Sequence, residues 1–123
     1  MHMFVVGLLA ATALASADRI EPSEHAMRVA FALDLADGVR AALAYVAETG
    51  GPDVLARIRQ ARTDEFEIKS FRKLACRPSA DRPGHMCEFA LEIDTVAGPI
   101  ARTTAGFFYT GAWGLAYEQT TDG

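Results

Sequence analysis

Residues 66–93 hold both cysteines of the chain, and their pattern restricts the fold more than any other stretch. Cys87, Phe89, Leu91 and Ile93 alternate with Glu88, Glu92 and Asp94. A period of two with one apolar and one wet side marks a half-covered strand of an antiparallel sheet. Phe66 and Ile68 alternate with Glu67 and Lys69 in the same way. Phe71 and Leu74 then fall on different parities, which predicts a bulge at Ser70-Phe71. A polar loop with Arg77, Pro78, Ser79, Asp81, Arg82, Pro83 and Gly84 joins the two strands, with Cys76 and Cys87 near its two sides. Two cysteines allow one pairing. In an oxidising compartment they are expected to form a disulfide that closes a loop of about ten residues and stabilises by about 2–3 kcal/mol. The alternative, a metal site of Cys76, His85 and Cys87, lacks a fourth ligand and the CxxC spacing of structural zinc. No metal ion or other cofactor is expected.

The compartment follows from the N-terminus. Residues 4–15 are apolar or small except Thr12, Ala15-Ser16-Ala17 follows, and Asp18-Arg19 opens the polar chain. This is the layout of a secretory signal peptide, residues 1–17, although Met1-His2-Met3 carries no Lys or Arg. A buried N-terminal helix is the alternative. The apolar run is shorter than the roughly 20 residues a membrane span needs, and no second run follows. The expected cleavage site has no cysteine, so a lipid-anchored form is not expected. The expectation is one mature domain, residues 18–123, periplasmic or secreted, with no integral membrane segment.

Ser23 is a helix cap, with Glu24 in the first turn. Met27, Phe31, Leu35, Val39, Ala42, Leu43 and Val46 recur at spacings of three and four, which predicts an amphipathic helix. Met27, Val29, Phe31, Leu33 and Leu35 also alternate with period two, as in a strand ending at Asp37-Gly38. The alanine content favours the helix, which Gly38 can divide and Gly50-Gly51 ends. A short second helix is expected from Asp53 to about Ala61. Further strands are expected at Ile100 to Tyr109 and Leu115 to Glu118, with turns at Ala97-Gly98-Pro99 and around Trp113, and the tail from Gln119 is expected to fray.

The fold class is therefore α+β: an N-terminal helix or helix pair packed on an antiparallel sheet of three to four strands. From Ser23 to Glu118 this element order is similar to the cystatin-like and NTF2-like folds, in which a curved meander wraps a helix. The Gln-x-Val-x-Gly motif of cystatins is absent, so their inhibitory activity is not implied. Phe66-x-Ile68-x-x-Phe71-x-Lys73-x-x-Cys76 with Cys87-x-Phe89 resembles a group of small exported bacterial proteins of unassigned function. That resemblance carries over no catalytic residue.

The formal charge is −4, against the basic excess of nucleic-acid binders. Between Arg57 and Arg82, however, eight Lys/Arg face four Asp/Glu. Arg72, Lys73, Arg77 and Arg82 are the candidates for a face that binds an acidic partner. Neither GxSxG nor HExxH occurs, and Gly50-Gly51 alone is too little for a phosphate cradle. His25 and His85 have no partners that would complete a catalytic set, so no catalytic residue is assigned. Asp34 would be the base of an NTF2-like enzyme if it faced inward; its place beside the apolar stripe favours an outward position. Trp113, Phe107, Phe108 and Tyr109 form an aromatic cluster, used for packing or, where exposed, for binding. The expected function is a non-catalytic binding or accessory module with an unknown protein or small-molecule partner. The alternative is an NTF2-like small-ligand pocket or enzyme, and a third reading is a structural envelope protein. Solid filling of the helix–sheet space by Phe31, Leu35, Phe89 and Leu91 would remove the pocket.

Overall fold

The computed structural model describes residues 19–62 and 64–120. The signal peptide expected at residues 1–17, and the last three residues of the tail, lie outside them. One long helix, α1 (Glu24–Ala61), precedes four strands, β1 (Phe66–Pro78), β2 (His85–Thr95), β3 (Gly98–Gly111) and β4 (Gly114–Gln119). The strands form one antiparallel meander in the order β1-β2-β3-β4. The α+β layout expected from the sequence is the one observed.

Ser23 caps α1, its hydroxyl accepting from the Ala26 N–H at 3.1 Å. That hydrogen bond satisfies one of the orphan donors of the first turn. Met27 to Leu35 is helical, which removes the strand alternative. The break falls at Gly51, within the Gly50-Gly51 pair expected to end the first helix, and Gly38 does not divide it: Gly51 has φ 78° and ψ 176°, and residues 52–61 continue as the expected second helical segment. Only glycine adopts that conformation cheaply, and Pro52 behind it needs no N–H at a helix start. Arg62, with φ 60°, ends the helix, its N–H reaching Arg59 O.

The core sits between the first turns of α1 and one face of the sheet. Phe89 is its centre, fully buried, with its ring 4.8 Å from Phe71, 5.5 Å from Phe31, 5.9 Å from Phe108 and 6.0 Å from Tyr117. Met27, Ala30, Cys87 and Leu91 complete it. Of the apolar stripe that runs from Met27 to Val46, the core takes only the beginning. Val39, Leu43 and Val46 are half-buried and belong to no core cluster among the described residues.

β1 carries two bulges, at Lys69 and at Leu74, where one was expected at Ser70-Phe71. Each adds a residue and resets the parity, so that Ile68, Phe71 and Cys76 all face the helix. Cys76 and Cys87 are directly opposite in the ladder, Cα–Cα 4.1 Å, and joined as a disulfide. The pair is compatible with an oxidising compartment.

The helix also covers the free side of β1. The Lys73 N–H donates to Glu24 Oε2 at 3.0 Å, and Arg28 Nη2 donates to Ile68 O at 2.8 Å. Two main-chain groups that no strand pairs are thus satisfied by side chains of α1.

Candidate functional site

A core-facing strand position normally carries an apolar side chain. On β2 that rule holds: Cys87, Phe89, Leu91 and Ile93 face the helix. Their partners on β3 are Gly106, Thr104, Arg102 and Ile100. β3 therefore turns a guanidinium and a hydroxyl towards the helix side of the sheet, opposite Leu91 and Phe89. Charge there is costly to desolvate unless the space is open.

The space is open. Beside the aromatic core, a groove of about 230 Å³ runs between α1 and the sheet. Phe31, Leu35, Leu91, Ile93 and Ile100 supply apolar walls; Asp34, Arg102, Thr104, Tyr117 and Gln119 supply polar groups. Phe31 and Phe89 fill the centre of the helix–sheet space, yet they leave this flank empty. The Tyr117 ring is seated against Gly106, where a Cβ would stand 2.1 Å from Tyr117 Cε2. Only glycine admits the ring there.

The electrostatics of the groove are unbalanced. The Asp34 carboxyl is raised above its ordinary value, first by partial burial and then by the neighbouring Asp37 charge. The Tyr117 phenol is raised as well, first by burial and then by the Asp34 charge. Asp37 is held by Arg40. Neither Asp34 nor Arg102 makes a hydrogen bond or salt bridge among the described residues. Asp34 also borders a second groove of about 320 Å³ against the β3–β4 turn, where Trp113 is fully exposed.

Of the four basic residues of the expected partner face, Arg72, Arg77 and Arg82 lie on the side of the sheet away from the helix, and Lys73 does not. Lys73 turns to the helix side, its Nζ donating to Pro22 O at 2.8 Å and pairing with Glu21 at 3.1 Å. Arg82 folds onto the opposite side of the sheet, its guanidinium 3.9 Å from the Phe107 ring centre and paired with Glu118 at 3.0 Å. That contact, with the loop around it, buries Phe107, while Tyr109 stacks beside it at 5.6 Å. Arg72 and Arg77 remain exposed on the face away from the helix. A groove of about 550 Å³ runs along the stapled loop, bordered by Arg19, Ser79, Asp81 and Arg82.

His85, expected in the loop, opens β2 and is buried opposite Phe108. Among the described residues, no cluster of three or more His, Cys, Asp or Glu could hold a metal ion. No described helix is long and apolar enough to cross a membrane.

Sequence reasoning singled out Asp34 but missed Arg102, Thr104, Tyr117 and Gln119. The signal that would have found Arg102 and Thr104 is their parity, shared with Ile100 and Phe108. Comparison with protein-family models, curated proteins and solved structures gives no match.

Proposed function

We propose that this chain is a small exported binding module that takes a small ligand, apolar in body and polar at its head, in the groove between α1 and the sheet. The observation that carries the reading is the pair Arg102 and Thr104, placed on the helix-facing side of β3 opposite Leu91 and Phe89. Departures from binary patterning concentrate where a surface is kept for function rather than for packing. An apolar cleft with a few polar groups and carboxyl and phenol groups of altered acidity is the general form of a ligand site. The element order, similar to cystatin-like and NTF2-like folds, leaves room at this place, between helix and meander. Binding rather than catalysis is the reading because the sequence holds no nucleophile–base motif. The apolar leader and the cysteine pair support export to the periplasm or beyond.

A titration of isotope-labelled protein with 4-methylpentan-1-ol tests the reading. Amide shifts are expected at Leu91, Ile93, Arg102, Thr104 and Tyr117. Thr104→Phe, which fills the groove with a residue strands accept, is expected to abolish them. Shifts that are absent, or scattered over the surface and indifferent to that substitution, overturn it.

A second reading has its own observation. Arg72 and Arg77 are exposed without an ion pair among the described residues, as a docking face for an acidic protein would require. Retention on immobilised polyglutamate that survives Arg72→Ala with Arg77→Ala removes it.

A further inference from the structure

We infer that the ligand of the groove is a small zwitterion with an apolar side chain, of the class of free branched-chain α-amino acids, its carboxylate on Arg102 and its ammonium on Asp34. The inference rests on the groove reading above and specifies its chemistry. One anionic and one cationic side chain line the same groove, Asp34 from the helix wall and Arg102 from the sheet wall. They are not ion-paired with each other, nor with any other described residue. Opposite charges that share an open cleft without closing on one another are each solvated by water in the free protein, and a ligand that displaces that water must match both. A zwitterion answers both at once. A singly charged ligand answers one and leaves the other charge partly desolvated and unmatched, which is how such a site discriminates.

The apolar side has a defined place. Leu91 is directly across the ladder from Arg102, and Ile93 is across from Ile100. A ligand carboxylate on the guanidinium therefore has an aliphatic surface immediately beside it. At about 230 Å³, the groove is smaller than the roughly 300–1,000 Å³ of sites for drug-sized molecules. The size suits a single amino acid better than a peptide. Tyr117 and Gln119, at the β4 side, offer further polar contacts to the same head group.

The test compares three probes of one shape by calorimetry and amide shifts: L-leucine, 4-methylpentanoate without the ammonium, and 3-methylbutylamine without the carboxylate. Leucine is expected to bind about tenfold more tightly than either analogue, the size of one charge-assisted hydrogen bond in a half-open site. Asp34→Asn is expected to make leucine and 4-methylpentanoate equal. Arg102→Gln is expected to make leucine and 3-methylbutylamine equal. Both side chains are on the surface, and far-UV dichroism confirms that the variants fold. Equal binding of leucine and either analogue to the unaltered protein overturns the inference. If 4-methylpentan-1-ol shifts the groove and leucine does not, the zwitterion falls while the groove stands. If neither does, both fall.

Discussion

Phe89 and Asp34 mark two extremes of what one side chain does in this molecule. Phe89 is fully enclosed and touches four other aromatic rings. Phe89→Ala removes most of a buried ring from a packed core, and a loss of about 3–5 kcal/mol is expected in urea unfolding. A loss below about 1 kcal/mol would mean that the site collapses around the deletion. Asp34 acts in the other direction. Its carboxyl holds a proton more tightly in the folded chain than in the unfolded one, so its ionisation works against the fold as pH rises through the raised range. Asp34→Asn is therefore expected to raise the melting temperature at neutral pH, and the gain should vanish at about pH 4 and below. A gain that persists in acid would show that charge is not its cause. At this scale, one of the groove's five polar residues was singled out. Asp34 stands out as a carboxylate beside the apolar stripe, though that place favours an outward position for it. Arg102 and Thr104 do not, because β-propensity accepts threonine on either face and one arginine among strand residues reads as wet until its partner strand is known.

The helix and the meander were legible as elements, the helix break at Gly50-Gly51 with them, and the bulges only in part. Spacings of three and four outweighed the period of two over residues 27–35, since alanine pays little entropy in a helix. The bulges of β1 were half visible: a parity slip shows that a residue is extra, but the placement of two extra residues depends on pairing with β2, which is non-local. The glycine pair marked where the helix divides, and the torsion of Gly51 makes the break. Gly51→Ala is expected to cost about 1 kcal/mol or more, because a Cβ strains the left-handed backbone even though no neighbouring atom is near. Thermal melts of this variant beside Gly38→Ala check it. Gly38 lies inside regular helix with open space around it, so its replacement is expected to stabilise. Gly106→Ala is expected to displace the Tyr117 ring and weaken leucine binding, read by calorimetry.

At the scale of the whole chain, one covalent link joins β1 to β2 at the loop end of the sheet. Reduction of Cys76–Cys87 is expected to lower stability by about 2–3 kcal/mol, checked by urea unfolding with and without dithiothreitol. An unchanged midpoint would mean that the ladder alone holds the hairpin. The opposite flank of β1 has no such link, and among the described residues its free ladder meets the carboxylate of Glu24 and the guanidinium of Arg28. Those two side chains do for one copy what a neighbouring molecule would otherwise do for many. Without them, a thirteen-residue strand becomes a template on which successive copies stack in cross-β register. Glu24→Ala with Arg28→Ala should then show itself less in the melting curve than in thioflavin-positive fibres that grow with concentration.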